Sequence, residues 1–453
     1  MTLPAPEFRR ETREMALFPY FQDWYRKNVG KVVDVSDVRL ARRVETRPWT
    51  DAWQIVPLPN FLGEFPVNVL RLRLLAQFTV MTVVLLCFLA ASALAAPRNV
   101  VLMIGDGMGF EHLKAASLYA YGAEGRLFMQ QLPVNGRCTT DPAGGRAVPD
   151  SANTGTALAT GVKVYPGVIS VRIPGDGRDL PTLLEKFAAQ GKRTGLVTTV
   201  GMGDATPAAF AAHSKSRKLY DEIYDDYFSR SRPDLIFGGA WRLPAGAAEK
   251  AGYTIVRDRS ELRDLDVRKA KRVLGPFCPA NFPYEWEHAQ RIDTRYDQVP
   301  HLSEMTVASL KFLDQSDQGF FLMVEGGRID HSSHKNHLQN MVLETLEFDN
   351  AVKEVMRWAA GRDDALVLVT ADHECGGLKV VKHRGLGKFP EATWASVGHT
   401  KAPVPVFAWG VGAEKFAGEI DNTDVPGKII ELPERAEERR VGKECRSRWS
   451  PYH

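Results

Sequence analysis

The sequence predicts an α/β fold, with a mostly parallel central sheet, helices on both faces and an inserted region. Three observations predict it. Short continuous apolar runs alternate with stretches of helical period through the middle of the chain, as strands buried on both faces require. Three of those runs are followed at once by carboxylates, as expected where a ligand sits beyond the carboxyl ends of parallel strands. Residues 240–300 break the rhythm with Pro, Trp and charge, and read as an insertion or cap over one edge.

Taken in order, the chain opens with residues 1–66, which show scattered charge, several Pro and little periodicity. Leu74 to Ala96 follows, uncharged, with Arg71 and Arg73 just before it and Ala93-Leu94-Ala95 near its close. A basic start, an apolar middle and a small-x-small end describe a secretory signal over residues 67–95. The stretch is also long enough to span a bilayer, so an uncleaved anchor is the alternative, and the arginines would keep its start inside. Either way the following domain, residues 96–432, lies outside the cytoplasm: periplasmic or extracellular if cleaved, membrane-anchored if not. Residues 1–66 are then an upstream extension or a cytoplasmic tail. Residues 433–453, dense in mixed charge without apolar period, read as a disordered or non-native tail.

Composition narrows the class. Of 453 residues, 44% are hydrophobic and 25% charged, which excludes a disordered, collagen-like or multi-span membrane chain. The net charge of +3 gives no ground for a nucleic-acid partner, and the basic excess sits at the two ends. Five Cys exclude a small disulfide scaffold. Cys87 lies in the signal and Cys445 in the tail. Cys138, Cys278 and Cys375 remain, an odd number that allows one disulfide at most.

Within the domain the expected strands are Val100–Ile104, Thr194–Thr199, Leu235–Phe237, Phe320–Val324, Ala365–Thr370 and Val404–Trp409. Expected helices include Leu180–Gln190, Leu302–Leu313 and Leu338–Ala360, the last with apolar residues near a 3.6 period. Asp106 follows the first strand, Glu325 the fourth, and Asp372 with His373 the fifth. Asp330 and His334, four apart, share a face if helical. His399 precedes the last strand. Bringing Asp106, Glu325, Asp330 and Asp372 together without cations would be strongly repulsive. Bound divalent metals remove that problem: imidazole with carboxylate suits Zn²⁺, and carboxylate with hydroxyl suits Mg²⁺.

Pro149 to Gly161 is a run of small residues. On this segment alone Ser151 reads as a helix N-cap. At a helix N-terminus beside bound metal, its hydroxyl becomes a candidate nucleophile. Arg217 can grip two phosphate oxygens, although alone it reads as a surface charge.

Six segments together resemble the alkaline phosphatase family: IGDGMG at 104–109, PDSANTGTALATGVK at 149–163, GDATPAAFAAHSKSR at 203–217, VEGGRIDHSSH at 324–334, TADHE at 370–374 and GHT at 398–400. They occur in the family's order. The resemblance implies an alkaline-phosphatase-like fold and hydrolysis of small phosphate monoesters through a phosphoserine on Ser151. It implies two Zn²⁺ and one Mg²⁺. Asp330, His334 and His399 would hold one zinc. Asp106, Asp372 and His373 would hold the other. Thr206 and Glu325, with Asp106, would complete the magnesium site. Arg217 would clamp the phosphate, with Asp204, His331 and Asp150 standing behind these groups. Inorganic phosphate would be product and inhibitor, and a homodimer is the family's habit.

Asp204 stands where other members have His, and His331 where some carry Lys or Trp. Cys375, just after the TADHE segment, reads as a packed or free thiol rather than an added ligand. A phosphodiesterase or another phosphohydrolase of the superfamily is the alternative function. A sulfatase would want a Cys-x-Pro-x-Arg segment, which is missing. A dinucleotide fingerprint from Gly105 and Gly107 fails, because its third Gly would fall at Phe110.

Overall fold

The computed structural model describes residues 97–431. The signal or anchor segment, residues 1–66 and the tail at 433–453 lie outside the described residues. Among the described residues, no helix is long and apolar enough to cross a membrane.

The expected apolar runs form the middle of one ten-stranded sheet. Its strands are β1 (Asn99–Ile104), β2 (Val134–Thr139), β3 (Arg193–Gly201), β4 (Leu235–Gly239), β5 (Thr254–Ile255), β6 (Val273–Cys278), β7 (Phe320–Glu325), β8 (Ala365–Thr370), β9 (Val404–Gly410) and β10 (Gly418–Asp421). The spatial order is β10-β2-β9-β8-β1-β7-β3-β4-β6-β5. Only β9 runs against its neighbours β8 and β2; the other pairs are parallel. Val100 to Ile104 and Phe320 to Val324 are wholly buried, as strands covered on both faces must be.

Register decides where the site forms. Ile104 pairs with Glu325 on one side and Thr370 on the other, and Thr198 pairs with Glu325. Three neighbouring strands, β8, β1 and β7, therefore end level, with Thr198 of the longer β3 beside Glu325, and the residues just beyond them share one edge of the sheet.

The helices used below are α1 (Phe110–Tyr121), α2 (Ser151–Thr160), α3 (Leu183–Ala189), α4 (Ala205–Ala211), α5 (Glu285–Ala289), α6 (Leu302–Leu313), α7 (Arg328–Ser333) and α8 (Leu338–Ala359). Helix α3 starts three residues later than its apolar pattern suggests. Thr182 caps it, accepting from the Glu185 N–H while Glu185 accepts from the Thr182 N–H, and this capping box fixes the start. Helix α6 has its expected bounds.

Residues 240–300, expected to be an insertion or cap over one edge, are in part sheet. Parallel strands β6 and β5 extend the sheet beyond β4. β5 has two residues and Pro276 lies within β6, so periodicity does not reveal them.

Candidate active site

Beyond the level strand ends, two groups of imidazoles and carboxylates face each other. In the first, Asp330 lies within α7 and His334 just past its end, one turn apart, with Asp330 Oδ2 3.2 Å from His334 Nε2. His399 joins them from a two-residue strand that pairs antiparallel with Glu374–Cys375. Its Nε2 is 3.4 Å from Asp330 Oδ1 and 2.9 Å from His334 Nε2. Its Nδ1 faces the Pro149 carbonyl oxygen at 2.8 Å, which fixes the ring and aims Nε2 inward.

The second group is Asp106, Asp372 and His373, all buried. His373 Nε2 lies 3.2 Å from Asp372 Oδ2, 3.6 Å from Asp106 Oδ1 and 3.2 Å from the Ser151 hydroxyl. The Gly107 N–H donates to Asp372 Oδ1 at 3.1 Å. Gly107 has φ +72°, and a Cβ there would lie 2.9 Å from Asp330 Cα. Glycine is therefore required where the loop after β1 passes under Asp330.

Ser151 is the first residue of α2, and its cap is Asp150 rather than Ser151 itself. Asp150 accepts from the Asn153 N–H at 3.1 Å, and Asn153 Oδ1 accepts from the Asp150 N–H at 2.7 Å. That pair satisfies the helix end and leaves the Ser151 hydroxyl for the site. Gly155 lets α4 come close; a Cβ on it would sit 3.1 Å from the Ala209 Cβ.

Asp150 also holds Arg217. Arg217 Nη1 lies 3.4 Å from Asp150 Oδ2, and its Nη2 donates to Asp204 Oδ1 at 2.9 Å. The expectation of a plain surface charge does not survive this two-sided grip. Asp204 caps α4 through the Ala205 N–H, which puts Thr206 in the first turn, buried beside Glu325. Thr198 donates to Glu325 Oε2 at 2.5 Å. His331 lies to one side, its Nδ1 3.0 Å from Arg328 Nη1.

The electrostatics are those of a site short of positive charge. Burial, then Asp372, Asp330 and Glu325, push the Asp106 carboxyl well above its usual range. Burial, with Asp204 and Asp372 adding, pushes Glu325 up to about 8. Burial also raises Asp330, but His334 and His399 outweigh it and hold Asp330 well below the usual range. The same contact raises His334 to about 9. Burial lowers His373 to about 4, leaving a neutral ring with a free lone pair. Burial and Arg328 lower His331.

These residues fit bound cations. Asp106 Oδ1 and Asp330 Oδ1 are buried without a hydrogen bond. His334 and His399 each turn Nδ1 to a backbone carbonyl oxygen, of Val397 and Pro149, so in their neutral forms both facing Nε2 atoms carry lone pairs that one ion can share. Cys375 Sγ lies near the first group, but its neighbour is the Asp330 carbonyl oxygen at 3.9 Å. Burial and the Asp330 charge raise its thiol far above the ordinary value, and the thiol is buried and in no disulfide. Cys138 and Cys278 are free as well.

Ser151, Arg217, Asp150, Asp204, Thr206, Glu325 and the two imidazole–carboxylate groups thus meet at one edge, with His331 to one side. Sequence reasoning missed Thr198, which only strand register places against Glu325. It also missed Arg328, whose guanidinium stacks 3.6 Å from the centre of the Tyr284 ring. Its place between Glu325 and Asp330 was the available signal. Tyr284, more than forty residues away in the chain, gave none.

The profile of the alkaline phosphatase family matches residues 97–236 and 241–388. Alkaline phosphatase 4 of Bacillus subtilis is 30% identical over 419 residues, covering 74% of this chain and 88% of its own. Streptomycin-6-phosphate phosphatase of Streptomyces griseus is 34% identical over 407 residues, covering 74% and 90%. Among solved structures, the cold-active alkaline phosphatase of Shewanella sp. is 28% identical, with a TM-score of 0.66 over 74% of this chain and 100% of that one. A mutant alkaline phosphatase of the Antarctic bacterium TAB5, with Mg bound in its M3 site, is 26% identical, with a TM-score of 0.64 over 75% and 98%. With this match and the fold it shares with those structures, the chain belongs to the alkaline phosphatase family and is a phosphatase.

Proposed function

We propose that the protein is an exported phosphomonoesterase that works through a phosphoserine on Ser151. One observation carries the reading. The buried Ser151 hydroxyl opens helix α2 and sits 3.2 Å from His373 Nε2.

Asp330, His334 and His399 would hold one Zn²⁺; Asp106, Asp372 and His373 the other; and Asp106, Thr206 and Glu325 one Mg²⁺. When bound, these ions supply the positive charge that lowers the pKa of hydroxyl and water and offsets charge on the departing oxygen. The rest is done by the chain. Ser151 Oγ forms a bond to phosphorus as the ester oxygen leaves with its electron pair and takes up a proton. The oxygen of a water then bonds to phosphorus as the bond from phosphorus to Ser151 Oγ breaks, one proton of that water going to Oγ and inorganic phosphate leaving. The helix dipole and first-turn N–H groups of α2 favour the anion beside Ser151. Arg217, steadied by Asp150 and Asp204, is placed to donate two N–H groups to phosphate oxygens. Asp204 and His331 support these groups from behind, and Asp204 draws on the same guanidinium that the phosphate needs.

The apolar Leu74–Ala96 segment supports export to the periplasm or exterior, or anchoring with the catalytic domain outside the cytoplasm. The test of the reaction is a hydrolysis panel of aryl monoester, aryl diester and aryl sulfate, run with metal analysis. Monoester turnover far above the other two is expected. Faster turnover of the diester would replace this reading with a phosphodiesterase.

A further inference from the structure

A third cluster of ligand-type side chains lies outside the candidate active site, and the family motifs do not use it. Glu285, His288 and His301 place one ligand atom each within 4.8 Å of one another. Glu285 and His288 are three apart at the start of α5, so they share a face. His301 is the N-cap of α6. His301 Nδ1 lies 2.9 Å from Glu285 Oε1. The His288 and His301 ring centres are 4.8 Å apart, tilted by 44°.

The backbone that carries these residues is fixed. The Glu285 N–H donates to Glu344 Oε1 at 2.8 Å, and the Ser303 N–H donates to Glu347 Oε1 at 2.8 Å. Both glutamates belong to the long helix α8. The His301 N–H donates to Glu304 Oε2 at 3.0 Å. Four carboxylates thus surround two imidazoles. Glu304 is paired with Arg259 at 2.8 Å. Among the described residues, Glu285, Glu344 and Glu347 have no Lys or Arg within ion-pair distance.

We infer that Glu285, His288 and His301 form a zinc site separate from the one at the strand ends. Two imidazoles and a carboxylate are the donor set that suits Zn²⁺. Zinc–ligand bonds of about 2.0–2.2 Å put tetrahedral ligand atoms roughly 3.3–3.6 Å apart, a spacing this cluster reaches by small side-chain turns. Each ligand is half-buried, which leaves the fourth position to water. The incoming ion replaces the proton shared by Glu285 and His301, and that proton leaves to solvent. An ion pair alone would need only Glu285 and His301; His288, its ring set between His301 and Tyr296, brings a third donor within 4.8 Å of both. The ion ties α5 to the start of α6 and balances the carboxylates of α8. This inference rests on these side chains and not on the chemistry at Ser151.

The test uses the full-length protein with zinc alone as the probe. Crystals grown with a small stoichiometric excess of Zn²⁺ are measured at the zinc absorption edge, and zinc per chain is counted in solution after desalting. An anomalous peak bonded to Glu285, His288 and His301 is expected. His288→Ala keeps the Glu285–His301 pair, so its fold, checked by circular dichroism, should persist. It should lose one zinc per chain and keep monoester turnover. His301→Gln should lose the same zinc. No peak at the cluster, a peak only at millimolar zinc, or an unchanged zinc count in both variants would overturn the inference.

Discussion

Arg217 Nη2 lies 2.9 Å from Asp204 Oδ1, and this contact spends on a carboxylate the guanidinium that would bind phosphate. Removing the carboxylate should therefore free the guanidinium. Asp204→Ala is expected to tighten inhibition by inorganic phosphate about fivefold, the equivalent of ~1 kcal/mol for a partly exposed ion pair. The measurement is the phosphate inhibition constant with a chromogenic monoester. An unchanged constant would show that Asp204 does not compete for Arg217.

Gly107 supports the site through backbone shape. Its φ of +72° and the 2.9 Å approach to Asp330 Cα exclude a side chain. Gly107→Ala should cost about 1–3 kcal/mol in stability and weaken zinc retention, because Asp330 must shift. Thermal unfolding and zinc content after dialysis test this together. A variant with wild-type melting temperature and zinc would refute it.

Stability of the metal-free protein should fall as pH rises from about 6.5 to 8. Burial raises Glu325 and Glu344 to about 8 from an ordinary 4.5. The Asp330 contact raises His334 to about 9 from 6.5. Between the unfolded and folded values these groups bind more protons when folded, so their contribution is lost as pH rises. His373 and His112, lowered to about 4 by burial, act oppositely, but only below 6.5. The window above 6.5 is thus free of them. Melting temperatures in chelator should drop across that window. With zinc and magnesium restored the drop should be shallower, because coordinated groups stay deprotonated. Equal slopes with and without metal would contradict the cation-binding reading.

The parts of this protein that show in its sequence are those whose chemistry is local. The runs at Val100–Ile104, Phe320–Val324 and Ala365–Thr370 show as strands because burial on both faces leaves no polar alternation. Asp106, Glu325 and Asp372 stand out because each follows such a run. Thr198 against Glu325 needs strand register, and Arg328 on Tyr284 needs the tertiary fold. Strand β5 was hidden by its two-residue length and β6 by Pro276. The role of Asp150 as the cap, with Ser151 as the first helical residue, turned on a single position that composition does not resolve.

The three described cysteines should resist modification. Burial pushes the Cys138 and Cys278 thiols up to about 12, and Cys375 is raised further by burial and the Asp330 charge. A thiol that stays protonated is a poor nucleophile. Alkylation of the native protein, mapped by mass spectrometry, should leave Cys138, Cys278 and Cys375 unlabelled and label them after denaturation. Rapid native labelling of Cys375 would show that it is open to solvent.

Chemistry at Ser151 is tested by trapping its product. The full-length enzyme, loaded with zinc and magnesium, is mixed with a phosphate monoester and quenched in acid, and the peptide bearing residue 151 is analysed by mass spectrometry. Phosphate is expected on Ser151. Ser151→Ala should lose the label and about a thousandfold or more in turnover, with its zinc content unchanged. Label on another residue, or full turnover in Ser151→Ala, would contradict the assignment of Ser151 as nucleophile.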